Sequence, residues 1–190
     1  METIKINDRV SVRIERDTDP YSPANWDNVG EIAYCSSQYC LGTERVTPHR
    51  MNEIAQGIRF GDLIGMPVFA YVHSGSTIKA AETNPFRCEW DSGQSGFVYC
   101  TVAKGIEEFG TKRDQLNLAE GKVRKGTAAM RAKTLKCLIG EVATFDQYLQ
   151  GDVYGYVIEV DGEEKNSCWG FYGLEYAKQE ATSAAQHYAK

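Results

Sequence analysis

His73, followed by Ser74 and Gly75 at the end of an apolar run, belongs with Cys88, Asp91 and Cys168 to the residue types from which nucleophilic catalysis is built. In such a site an imidazole takes the proton of a thiol or hydroxyl while a carboxylate orients the ring. His73 would be the general base, Asp91 its orienter, and Cys88 or Cys168 the nucleophile. The surroundings add no specificity. No Gly-x-Ser-x-Gly elbow encloses Ser74, and no cysteine-protease signature surrounds Cys168. A histidine at a strand end also serves as a hydrogen-bonded structural residue.

Metal chemistry has weaker support. Cys35 and Cys40 could hold zinc together with Cys88, His49 or Cys168, because thiolate and imidazole suit that ion. Neither a second matching cysteine pair nor a closely spaced histidine pair accompanies them. Asp17, Asp19, Asp27 and Asp91 offer oxygen ligands, but the calcium-loop pattern is missing, and Asp and Asn in such stretches ordinarily cap turns. No phosphate-cradling Gly-rich motif occurs at a strand-to-helix turn. The expectation is therefore no metal and no cofactor.

The three tryptophans point elsewhere. Trp26, Trp90 and Trp169 each sit among Gly, Asp, Asn and Ser, residues that bend the backbone, rather than at helix or strand periodicity. Rigid aromatics in loops suit a recognition surface. The candidate binding set is Trp26, Asp27, Asn28, His73, Ser74, Trp90, Asp91, Gln94, Trp169 and Tyr172.

These residues must be positioned by the elements around them. Ile4-Lys5-Ile6 and Val10 to Ile14 alternate apolar and polar and predict a hairpin turning at Asn7-Asp8. Asp17 to Asn28 reads as a long ordered loop feeding a short strand, Glu31 to Cys35. Thr47-Pro48 opens a helix over His49 to Gln56. Val68 to His73, after Pro67, and Gly96 to Val102 are central strands. Antiparallel pairing would bring the His73 end of one towards the start of the other. Met130, Thr134, Cys137, Leu138, Val142, Phe145 and Leu149 form the stripe of a helix over about 127–150, with Gly140 as a point of bending or division and Gly151 as its stop. Val153 to Val160, a turn at Asp161-Gly162 and a return over Lys165 to Trp169 make a second hairpin. A closing helix covers about 174–188. The fold class is α+β, with a mainly antiparallel sheet and two longer helices.

At 190 residues, 42% hydrophobic and 25% charged, the chain suits one domain, 1–190, that needs neither disulfides nor a structural metal. A net charge of −5 argues against direct nucleic-acid binding, which draws its affinity from clustered Lys and Arg. The local basic stretch, Lys122-Val123-Arg124-Lys125 with Arg131, Lys133 and Lys136, reads as a solvated helix face and the loop before it, or else as a strip for an acidic partner. No window approaches ~18 apolar residues, so no membrane partner is expected. Met1 to Lys5 lacks the layout of a secretion signal. A cytoplasmic location follows as the expectation, with the cysteines reduced and Cys100 and Cys137 acting as small core residues.

Several long blocks carry a resemblance. They are Asp17 to Gly30, Tyr71-Val72-His73-Ser74-Gly75, Pro85 to Tyr99, Phe145 to Gly155, and Ser167-Cys168-Trp169-Gly170-Phe171-Tyr172-Gly173. In these the chain resembles a family of small proteins encoded by bacteriophages, prophages and other mobile elements. It departs from that pattern at Tyr34 to Tyr39, where a His is expected near the strand end and two cysteines frame the turn instead, and in a longer Gln115 to Thr127 segment. The resemblance implies an accessory protein, acting in the bacterial host's cytoplasm, that blunts a host defence system in the manner of an anti-CRISPR or redirects a host process. It carries no assigned activity. The leading expectation is a non-enzymatic binder of a host protein or of a small signalling ligand. A His73/Asp91/Cys enzyme and a structural or assembly protein are the alternatives, and the oligomeric state is left open.

Overall fold

The computed structural model describes residues 2–88, 90–122 and 125–189. In chain order the elements are β1 (Glu2–Lys5), β2 (Val10–Arg16), β3 (Glu31–Tyr34), β4 (Glu44–Arg45), α1 (Pro48–Phe60), β5 (Leu63–Val72), β6 (Ser76–Ala80) and β7 (Ser92–Thr101). There follow α2 (Val102–Phe109), α3 (Lys112–Ala119), α4 (Ala128–Leu149), β8 (Val153–Val160), β9 (Glu163–Tyr172) and α5 (Leu174–Ala185). The fold is α+β, with two sheets in which every pairing but β3–β4 is antiparallel. The chain divides into two compact units, Met1–Asn25 with Gln147–Lys190, and Trp26–Asp146.

The first unit carries the sheet β1-β2-β8-β9 and α5. Asn7 closes the first hairpin, its side-chain oxygen accepting from the backbone N–H of Arg9 and of Val10 at 2.9 and 2.7 Å. Alternation along β2 buries Val10, Val12 and Ile14 against Tyr154, Tyr156 and Ile158 of β8 and Ala177, Ala181 and Ala185 of α5. Alanine at every fourth position keeps that helix face thin, so α5 lies close on the sheet. The β8–β9 turn places Asp161 at φ 54° and Gly162 at φ 82°, the pair of positive values that a tight two-residue hairpin needs. The Arg9 guanidinium holds the Asp161 carboxylate at 2.7 Å. β9 continues to Tyr172, beyond the expected Trp169, because Val153 still has Tyr172 as its partner.

The second unit carries the sheet β4-β3-β7-β5-β6. β5 begins at Leu63 and runs through Pro67, ahead of the expected start. Pro67 is tolerated because β6 pairs only with Val68 to Val72. Past the end of β6, only the Pro67 carbonyl is used on that side, by the Ala81 N–H at 3.1 Å, so the missing donor costs nothing. β7 ends at Thr101, whose hydroxyl accepts from the Lys104 N–H at 3.1 Å. Val102 therefore starts α2 instead of finishing the strand.

Thr47 caps α1 with Pro48 in its first turn, and the helix continues past Gln56 to Phe60, where Gly61 at φ 81° stops it. α4 passes through Gly140 without a break and buries Met130, Thr134, Leu138, Val142 and Phe145. Of the basic stretch, Val123 and Arg124 lie outside the described residues. Arg131 is committed to structure, donating to the carbonyls of Gly61, Lys125 and Leu63 at 3.1, 3.0 and 2.8 Å. Among the described residues no helix is long and apolar enough to cross a membrane.

Candidate functional site

Antiparallel pairing of β5 with β7 sets Tyr71 opposite Ser92. The residues leaving β5 therefore meet those entering β7. The Val72 N–H donates to the Asp91 carbonyl at 2.9 Å, and the His73 N–H closes a tight turn on Gly75 at 3.0 Å. The loop before β7 braces itself: Asn84 donates to the Ser92 hydroxyl at 3.0 Å, and that hydroxyl donates to the Cys88 carbonyl. Glu89, within this loop, lies outside the described residues.

His73, Asp91 and Cys88 are thus brought together, in an order that differs from a catalytic relay. The Cys88 thiol donates to Asp91 Oδ2 at 3.5 Å, and His73 Nδ1 stands 3.8 Å from the same oxygen. A nucleophile relay needs the imidazole between thiol and carboxylate. Here the carboxylate is the shared member, and 3.8 Å is an ion-pair separation rather than a hydrogen bond. The Tyr71 ring lies 6.5 Å from the His73 ring and 5.9 Å from that of Phe86, and the Lys79 ammonium sits 5.7 Å above Phe86. Trp90, which precedes Asp91 in sequence, is 97% exposed. Tyr71 and Phe86 were not singled out from the sequence. The signal for Tyr71 was its place two residues before His73, which puts both on one strand face.

Two further candidates of this unit lie apart from the cluster. Trp26 and Asp27 stand near the far end of β7, where β3 starts opposite Tyr99 and Lys104 reaches Asp27 at 3.9 Å. A ten-residue strand spans about 30 Å, so the Trp26 and Trp90 loops of this unit do not form one patch. Cys168, Trp169 and Tyr172 belong to the other unit. Cys168 is exposed on β9 opposite Tyr156, and the Trp169 indole covers Gly155 so closely that a Cβ there would collide with the ring. Tyr172 donates its hydroxyl to the Tyr21 carbonyl, a brace on the first loop. Among the described residues no three His, Cys, Asp or Glu side chains gather as a metal-ligand set.

The Trp26 loop is held by Glu141 of α4, whose carboxylate accepts from the N–H of Val29 at 2.7 Å and of Gly30 at 3.1 Å. Burial lifts the Glu141 carboxyl above the usual glutamate range, outweighing those two donors. The folded state therefore binds this proton more tightly than the unfolded chain. The contribution is complete below the ordinary glutamate pKa and is lost as pH rises through the folded value. Glu141→Gln places an amide donor against one of the two N–H groups and is expected to cost about 1–3 kcal/mol at neutral pH. In urea titrations the wild type should gain on this variant as pH falls from about 7 towards about 4. A gap that narrows instead would contradict the assignment.

The cysteines sort by access. Cys35, Cys40 and Cys168 are exposed and Cys100 is buried, its thiol pushed up to about 11 chiefly by desolvation. At about pH 8 only about a thousandth of such a thiol is ionised. Iodoacetamide followed by peptide mass mapping should label the three exposed cysteines first and leave Cys100 unmodified until the fold opens.

Two adjoining recesses lie at the C-terminal end of β3. One of about 560 Å³ is lined by Cys35, Ser36, Ser37, Arg45, Val46, Thr47 and Pro48. The other, about 300 Å³, shares Cys35 and Ser36 and adds Leu41, Met51, Gln94, Ser95 and Gly96. Gln94, a candidate from the sequence, thus belongs to this recess.

No family model, curated protein or solved structure matches the chain.

Proposed function

We propose that this chain is an accessory protein of a bacteriophage or other mobile element that acts without catalysis, docking the Trp90 face of its second unit onto a host protein of an anti-phage defence system. The observation that carries this reading is the exposure of Trp90, 97%, directly before Asp91, the residue on which Cys88 and His73 converge. An indole left in water forgoes about 4 kcal/mol or more of transfer free energy, which a partner's pocket recovers. The net charge of −5 and the Asp91 carboxylate favour a basic partner surface and steer its approach. The sharing of Asp91 by Cys88 and His73 supports binding over nucleophilic chemistry, since the thiol proton is directed to the carboxylate and not to the imidazole.

The test is dose dependence. His73→Ala and Cys88→Ser should protect phage plating on a defence-carrying strain as the wild type does once expression is raised severalfold. If either variant fails at every dose while remaining folded, the enzyme reading replaces this one.

A further inference from the structure

We propose that the double recess beside α1 binds a phosphate-bearing small molecule of mononucleotide size, with the phosphate in the larger lobe and a flat heterocycle in the smaller. The larger lobe is built for an anion. Arg45 lines it, stands exposed to solvent, and pairs with no carboxylate among the described residues. A guanidinium with no carboxylate partner presents a fork of N–H donors from which two oxygens of a tetrahedral phosphate can accept.

Three hydroxyls accompany it. Ser36 Oγ accepts from the N–H groups of Gln38 and Tyr39 at 3.2 and 3.0 Å, and Thr47 Oγ1 accepts from the Arg50 N–H at 3.2 Å. With their lone pairs engaged by backbone donors, these two hydroxyls keep their own protons to donate. Ser37 adds a third O–H to the lining. The lobe therefore offers several donors and no carboxylate.

The smaller lobe changes character. Leu41 and Met51 supply an apolar wall, and the Gln94 amide and Ser95 supply a polar edge. The Gln94 nitrogen already donates to the Gly96 carbonyl at 3.3 Å, so its oxygen remains to accept from a ring N–H. The ladder slips at this point: Val68 pairs with Gly96 and Phe69 with Gln94, leaving Ser95 as the extra residue of a bulge. Bulges re-aim side chains beside binding sites. Because Cys35 and Ser36 border both lobes, a single ligand can occupy them together.

This inference is independent of the Trp90 reading. Isothermal titration calorimetry of the full chain with AMP, and with the other three nucleoside 5′-monophosphates, should give micromolar binding for at least one of them. Inorganic phosphate and the free nucleoside should each bind at least tenfold more weakly. Arg45→Ala should lower affinity tenfold or more, and Arg45→Lys by less, with both unfolding at the wild-type temperature. Trp90→Ala should bind the nucleotide unchanged. Absence of binding by all four monophosphates, or an affinity indifferent to Arg45→Ala, would overturn the site. Phosphate binding as tightly as the nucleotide would overturn the two-lobe assignment, and loss of binding in Trp90→Ala would overturn its independence.

Discussion

Trp90→Ala is expected to weaken binding of the host partner by about 30-fold or more, about 2 kcal/mol, the range of an interface anchor. Its stability should stay within about 0.5 kcal/mol of wild type, because a side chain that is 97% exposed leaves no cavity when truncated. The loss should fall mainly on the dissociation rate, as most interface changes do. Trp90→Phe, which keeps an aromatic face, should retain part of the affinity. Biolayer interferometry on the captured partner reads both rates. Unchanged kinetics in Trp90→Ala would remove this face as the anchor and direct attention to the indoles of Trp26 and Trp169.

The second large effect is on the fold. Gly96→Ala should destabilise the second unit by about 3 kcal/mol. Gly96 sits in β7 between Tyr34 of β3 and Val68 of β5, and a Cβ there would run into the carbonyl oxygen of Ala33. Backbone atoms cannot rotate aside as a side chain can, so β3 itself must shift. The recess beside α1 should suffer with it, since Cys35 and Ser36 follow directly on β3. Gly140→Ala is the contrast. A Cβ at Gly140 meets nothing within 4 Å, and in the exposed interior of α4 the exchange should stabilise by up to about 1 kcal/mol. Urea titrations of the three proteins measure both. Wild-type stability in Gly96→Ala would refute the β3–β7 pairing.

The elements that were legible share a cause. The β2 alternation, the α4 stripe from Met130 to Phe145 and the Asp161-Gly162 turn each express a local rule, in which burial period or backbone φ is written in adjacent residues. Elements with weak local signals escaped. β6 is a five-residue edge strand whose pairing with β5 is its reason to exist. α2 and α3 are eight residues each and lean on caps at Thr101 and Thr111.

The same division applies to the candidate sites. Residue types alone nominated His73, Asp91 and Cys88, and antiparallel pairing of two apolar strands was expected to bring the His73 end of one towards the start of the other. Only the register, Tyr71 opposite Ser92, decided that they meet, and only side-chain geometry decided that Asp91, not His73, is their common partner. The Trp-centred blocks look alike in sequence, yet Trp169 lies within β9 and not in a loop, because pairing with β8 overrides the turn-forming composition around it. Tertiary structure parted two of them, because a strand some ten residues long carries Trp26 and Trp90 to its two ends; Trp169 belongs to the other unit. The recess beside Arg45 left no motif at all. It is made by a β3 end, a helix start and a strand bulge that are distant in sequence, so composition and local propensity determined the elements while long-range pairing determined which residues face a common space.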